Sequence, residues 1–105
     1  MASVTDTVSL RAAAEIVKTR AGRCDILVNT AGVLTPVSPD NLHALTDELF
    51  DEMIITNLRG VYATIREFSE LLKISGDGLI INVSSQSAQR ASNSCVAYAA
   101  GKAGL

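Results

Sequence analysis

The amino-acid sequence predicts an α/β domain built around a parallel sheet, and three observations carry that reading. Two short runs, Asp25-Ile26-Leu27-Val28-Asn29 and the stretch from Leu79 to Val83, are dense in β-branched and aliphatic residues. They do not alternate apolar with polar positions, which is the pattern of strands covered on both faces. Segments with helical spacing of apolar residues stand before, between and after them, giving the order helix-strand-helix-strand-helix. Turn chemistry marks the joints at Ala21-Gly22, between Pro36 and Asn41, and at Gly76-Asp77-Gly78.

The first helix is expected from Asp6 to Thr19, with Asp6 or Thr7 as its cap. Leu10, Ala13, Ala14 and Val17 fall on one face, and Gly22 stands where a helix ends. After the first strand, Asn29-Thr30-Ala31-Gly32 supplies small residues that allow close approach to the backbone. Val33 to Leu45 reads as a loop. It holds His43, the single histidine, which has no metal-ligand partners in sequence and reads as surface or loop packing. Thr46 or Asp47 then caps a long helix reaching about Leu72. Leu49, Phe50, Met53, Ile54, Leu58, Val61, Tyr62, Ile65, Phe68 and Leu72 give it a wide apolar stripe. Asn57 and Gly60 interrupt the stripe, and a buried asparagine must find a partner. A final helix is expected to start near Asn93 or Ser94 and to carry Tyr98 and Lys102.

Composition narrows the function. The chain is 48% hydrophobic and 19% charged, so it is globular and not disordered. Its net charge of −2 comes with no basic patch, which argues against nucleic-acid binding. The longest apolar runs fall far short of the ~18 residues of a membrane span. The N-terminal residues lack the basic and apolar regions of a signal peptide. Cys24 and Cys95 form no C-x-x-C and read as buried or idle thiols of a reducing compartment. Together these features indicate a soluble cytoplasmic protein with neither a metal centre nor a membrane anchor.

The chemistry sits in Asn82-Val83-Ser84-Ser85 and Tyr98-Ala99-Ala100-Gly101-Lys102. Tyr98 and Lys102, four residues apart, share one face of a helix. An ammonium beside a phenol favours the phenolate, and such a tyrosine can exchange a proton with a carbonyl or alcohol oxygen. A Ser85 hydroxyl beyond the end of the strand can bond the same oxygen. These groups move protons and orient a substrate, but they supply no hydride, so a redox cofactor is required. Taken singly, the Tyr-x-x-x-Lys pair reads as surface pairing and the serines as loop polarity, and only their combination at the end of a buried strand is specific. Other patterns fail. Gly76-Asp77-Gly78 precedes a strand and does not follow one. Gly101-Lys102 lacks the remainder of a phosphate loop. The serines lack a nucleophile elbow and a histidine base.

With these residues in place, the chain resembles the short-chain dehydrogenase/reductase family. Asn29-Thr30-Ala31-Gly32 is similar to its N-N-A-G motif, with Thr30 a departure. Asn57 to Val61 is similar to its N-x-x-G-x segment, Ile81 to Ser85 to its I-N-x-S-S strand end, and Tyr98 to Lys102 to its Y-x-x-x-K. The four motifs keep the family's order and spacing over nearly the whole chain. The resemblance implies a Rossmann-like doubly wound parallel sheet, of which residues 1–105 form a central part. It implies hydride transfer between NAD or NADP and a small carbonyl or secondary-alcohol substrate. Tyr98 would be the general acid/base. Lys102 would assist it and hold the nicotinamide ribose. Ser85 would fix the substrate oxygen, and Asn57 would anchor a water relay towards Lys102, with the helix locally distorted around it. Asn29, Ala31 and Gly32 would line the cofactor. The long helix and the Tyr/Lys helix would pack between subunits of a homo-oligomer.

The family's glycine-rich turn, T-G-x-x-x-G-x-G, is not among these residues, and Ser3-Val4 stands where the family usually has Asp-Val. The strands and substrate lid that follow the Tyr/Lys helix are likewise not among them. Alone, the chain is expected to expose a sheet edge and apolar faces and to turn over no substrate. A second reading is a non-catalytic product that associates with full-length subunits through its long helix. A third is a shortened gene model of a longer chain.

Overall fold

A computed structural model describes residues 1–90 and 95–105. The elements run in order: helix α1 (Thr7–Ala21), strand β1 (Ile26–Asn29), a short 3-10 turn (Leu42–Ala44), helix α2 (Asp47–Ile54), a π-helical turn (Ile55–Arg59), helix α3 (Gly60–Ser75), strand β2 (Leu79–Asn82), a second 3-10 turn (Gln86–Ala88) and helix α4 (Val96–Ala103). The chain divides into two compact units, Met1–Thr30 with Gly60–Val83, and Ala31–Arg59 with Ser84–Leu105.

In the first unit, α1 starts where the Asp6 carboxylate accepts the Val8 N–H at 3.0 Å. It stops at Gly22, whose φ of 73° is accessible to glycine without steric cost and lets its N–H donate to Lys18 O at 3.0 Å. The face read from the sequence is the one that packs. Ala14, with Ala13 and Val17 beside it, meets Phe68, Leu71 and Leu72 of α3 and the side chains of Cys24 and Leu27. Leu10 is buried on the same helix. Gly60 opens α3 where a side chain would collide: a Cβ there would lie 3.0 Å from Val4 Cγ2.

β1 and β2 pair in parallel, Ile26 opposite Leu79 through Asn29 opposite Asn82. The ladder is closed at its ends by Leu79 N–H to Asp25 O at 2.8 Å and Val83 N–H to Asn29 O at 2.9 Å. The parallel pairing follows the sequence reading, but the burial does not. Strand side chains alternate between faces, and α1 and α3 cover only the Leu27 face. Ile26, Val28, Leu79 and Ile81 keep 58%, 51%, 50% and 41% of their surface exposed. On the Leu27 face, Ile80 also keeps 39% of its surface exposed.

The long helix also departs from a uniform α-helix. It runs three residues past Leu72 and contains the π-helical turn at Ile55–Arg59. A π turn admits one extra residue per turn and shifts the phase of the stripe. Phe50 and Tyr62, both expected in the stripe, are exposed, whereas Ala63, Thr64 and Leu71 are buried. Arg66 stacks over the Tyr62 ring at 5.7 Å.

The second unit is built on Met53, Cys95 and Ala97, with Val33, Val37, Leu45, Leu49 and Tyr98 packed around them. Thr46 caps α2, its hydroxyl accepting the Leu49 N–H at 3.3 Å. The backbone amide of Glu48 and the Thr46 hydroxyl hold the Glu48 carboxyl below its usual value. α4 packs on α2, on the π turn and on the Gln86–Ala88 turn. Asn93 and Ser94, where the sequence reading begins this helix, lie outside the described residues. His43 is exposed, and Cys24 and Cys95 are free thiols. No helix among the described residues is long and apolar enough to cross a membrane.

One ionic tie joins α1 to α3. Glu67 accepts from Arg66 Nε at 3.0 Å and from Arg11 Nε at 3.2 Å, and these bonds hold its carboxyl below the usual 4.5. The folded chain thus binds this proton less tightly than the unfolded chain. The contribution is complete above about pH 4.5 and is lost as pH falls through the lowered folded-state value. The urea midpoint should fall on going from about pH 7 to about pH 3, and fall less in Glu67→Gln. An equal fall in that variant would locate the acid sensitivity elsewhere.

Candidate active site

The second unit gathers most of the residues singled out from the sequence, and Asn57 is the best fixed of them. It sits in the π turn with 0% of its surface exposed. Its Oδ1 accepts the Val33 N–H at 2.9 Å, and its Nδ2 donates to the Val33 carbonyl at 2.8 Å. An unpaired amide would be costly here, so this two-bond grip both satisfies the side chain and fixes the segment after Gly32. The asparagine that breaks the apolar stripe is therefore a satisfied core residue, and it also lies in a locally distorted stretch of helix.

Gly32 lies against the same group. A Cβ there would sit 3.1 Å from Asn57 Oδ1 and 3.3 Å from Lys102 Nζ. The missing side chain lets the backbone reach both the Asn57 carbonyl oxygen and the Lys102 ammonium. Lys102 is 6% exposed on α4, and its own carbonyl accepts the Ser84 hydroxyl at 2.8 Å. That bond ties the residue before Ser85 to the helix that carries Tyr98 and Lys102. Ser85 caps the Gln86–Ala88 turn, its Oγ accepting the Ser87 N–H at 3.2 Å. A hydroxyl that accepts from an amide keeps its proton to donate. Tyr98 is half-buried, its ring packed on the Met53, Cys95 and Ala97 cluster one turn before Lys102.

The other residues expected to meet a cofactor are placed differently. Ala31 is half-buried. Asn29 belongs to the first unit, is buried, and donates through Nδ2 to Asn82 Oδ1 at 2.9 Å, bridging the two strand ends. Sequence reasoning passes over two contributors. Val33 is an unremarkable loop residue whose backbone is what Asn57 holds. Ser84 stands in the sequence only as the neighbour of Ser85, and its bond to the Lys102 carbonyl depends on the fold.

Comparison with known proteins shows the family and the fold. The family model described as short chain dehydrogenase matches residues 1–105, and the chain belongs to that family. It is 37% identical over 102 residues to a D-threitol dehydrogenase of Mycolicibacterium smegmatis, covering 97% of this chain and 38% of that protein. It is 37% identical over 83 residues to an acetoacetyl-CoA reductase of Rhizobium meliloti, covering 79% of this chain and 33% of that one. Among solved structures, a short-chain dehydrogenase/reductase from Burkholderia xenovorans superposes with a TM-score of 0.89 at 31% identity, over 99% of this chain and 40% of its own. A metagenomic short-chain oxidoreductase in complex with NADP gives 0.87 at 34% identity, over 99% of this chain and 46% of its own. The Rossmann-like fold of the family is thus shared, and the chain spans roughly two fifths of the length of these relatives.

Removing the Asn57 side chain tests the grip. Asn57→Ala leaves the Val33 N–H and carbonyl without partners and should destabilise the chain by about 1–3 kcal/mol in urea unfolding. A change below about 0.5 kcal/mol, the range of an ordinary surface substitution, would show that Val33 is held by other means.

Proposed function

We propose that these residues form the proton-transfer half of a nicotinamide-dependent oxidoreductase acting on a small carbonyl or secondary-alcohol substrate. The observation that carries the reading is the buried Lys102, whose Nζ lies 3.3 Å from where a Gly32 Cβ would stand, on the helix that carries Tyr98 one turn earlier. Family membership and the NADP-bound relative support a cofactor of the NAD or NADP class.

The residues present fit the nicotinamide end of such a cofactor. Lys102 offers ammonium donors for ribose hydroxyls, and Gly32 presents backbone with no Cβ in the way. Ala31 and Asn29 belong to the same segment, Asn29 acting through its bond to Asn82 as the support of the strand end. When bound, the nicotinamide supplies or accepts the hydride. The chain's own residues do the rest. Ser85 donates a hydrogen bond from its hydroxyl to the substrate oxygen and orients it, keeping its proton. Tyr98 gives a proton to that oxygen in reduction and takes it back in oxidation. Lys102 stands one helical turn beyond Tyr98 on the same helix. Asn57 keeps the Gly32-Val33 backbone in place beside Lys102 and anchors a water path towards it. The glycine-rich turn that would hold the pyrophosphate is not among the 105 residues, so the chain alone is expected to bind cofactor weakly and turn over nothing.

A second reading, a non-catalytic product that joins full-length subunits, draws on the apolar surface left open at Tyr62, which is 62% exposed on α3. Co-sedimentation with a full-length homologue separates the two readings.

In an active protein carrying this chain, Tyr98→Phe should lower kcat for NAD(P)H-dependent ketone reduction by about 10²-fold or more, with the cofactor KM little changed. Ser85→Ala should lower kcat by a similar order. Full activity in Tyr98→Phe would end the proposal.

A further inference from the structure

Ser84 and Ser85 are neighbours with different partners. The backbone at Ser85 is extended, with φ −147° and ψ 155°, and successive side chains of an extended chain project to opposite sides. The Ser84 hydroxyl donates to Lys102 O at 2.8 Å. The Ser85 Oγ accepts the Ser87 N–H at 3.2 Å and so caps the Gln86–Ala88 turn. That turn is also closed by bonds within itself, Ala88 N–H to Ser85 O and Gln89 N–H to Gln86 O, both at 3.0 Å. Such bonds shape the turn but do not fix where it lies against α4. The Ser84 bond does cross to α4, and it lands on the main chain of the residue whose Nζ lies 3.3 Å from the Cβ position of Gly32.

We propose that in this chain Ser84 is a positioning residue of the site: its hydroxyl bond to the Lys102 carbonyl fixes the Ser85 turn against the last turn of α4, and so sets where the Ser85 hydroxyl stands relative to Tyr98 and Lys102. A helix carbonyl is a firm anchor, because it moves only with the backbone that carries it. It has two lone pairs, so it accepts a hydroxyl without giving up a helical bond. Tyr98 and Lys102 share α4, one turn apart, and an anchor on this carbonyl is an anchor on the frame that holds both. Ser84 is itself exposed. An exposed serine without a protein partner samples several rotamers in water, whereas a bond at 2.8 Å selects one. Replacing the hydroxyl by hydrogen leaves the backbone and the hydrophobic cluster as they are. What goes is the registration of the Ser85 turn on α4, and with it the single orientation of the Ser85 side chain.

The proposal rests on the oxidoreductase reading of Ser85, Tyr98 and Lys102 as one site, but its test measures no turnover, so a failure of that reading shows separately, in the kinetics of Tyr98→Phe. The test follows the full 105-residue chain, isotope-labelled, by NMR. The Hα–Hβ couplings of Ser85 report its χ1 rotamer, and hydrogen exchange at the Ser87 amide reports the cap. The Val33 amide, bonded to Asn57 Oδ1 in the same unit, is the control. In Ser84→Ala the Ser85 couplings should move to rotamer-averaged values and the Ser87 amide should exchange about fivefold faster, as expected for the loss of one hydrogen bond. Val33 exchange should stay within about twofold. Ser84→Thr keeps the hydroxyl, and should keep the couplings and hold Ser87 exchange within about twofold of the unsubstituted chain. Unchanged Ser85 and Ser87 signals in Ser84→Ala would overturn the proposal. So would an equal acceleration at Val33, which marks a general loosening, or a threonine variant that behaves like the alanine one. If Ser84→Ala does not fold, the unsubstituted chain decides. A single Ser85 rotamer together with nuclear Overhauser contacts from Ser84 Hβ to the backbone of Lys102 and Ala103 supports the proposal, and the absence of either overturns it.

Discussion

The pair of hydrogen bonds between the Asn57 amide and the Val33 backbone is the constraint on which the second unit depends. A side-chain amide that both donates to and accepts from one residue behaves like a neighbouring strand: it fixes that residue's position and its orientation together. Because Asn57 is itself rooted in a π turn, the grip reaches from the helix to the segment after Gly32. Lys102 can then sit beside backbone and not beside a side chain, which keeps its ammonium close to the site without filling it. The cost of burying an amide and a lysine is offset by bonding and close packing.

Much of this was legible in the sequence because local chemistry and periodicity spoke with one voice. The Asp6 and Gly22 boundaries of α1, the Thr46 cap of α2 and the packed face Leu10, Ala13, Ala14 and Val17 follow from rules that act within a few residues. The parallel pairing of two aliphatic strands followed from their order with the helices. The reading faltered where an outcome depended on distant partners. Unbroken aliphatic runs predicted strands covered on both faces, but coverage is a property of what packs against them, and one face here is open. The apolar stripe was drawn wider than the face that packs, so Phe50 and Tyr62, at its margins, are exposed.

The site itself divides the same way. Tyr98, Lys102, Ser85 and Asn57 could be named as candidates because their side chains are of types that can move or orient a proton and their spacing is regular. Val33 could not, because what it offers Asn57 is its backbone, which has no residue-type signature. Ser84 is intermediate: its hydroxyl is visible in the sequence, but only the fold shows that its partner is the Lys102 carbonyl.

The open face formed by Ile26, Val28, Leu79 and Ile81 has a thermodynamic consequence. Apolar surface that is already wet in the folded state adds nothing new to water when the chain unfolds. The heat-capacity increment on unfolding should therefore lie below the roughly 1.2–1.5 kcal/mol/K usual for 100 residues. A smaller increment flattens the curve of stability against temperature. The chain would then weaken only gradually on cooling below the temperature of its stability maximum.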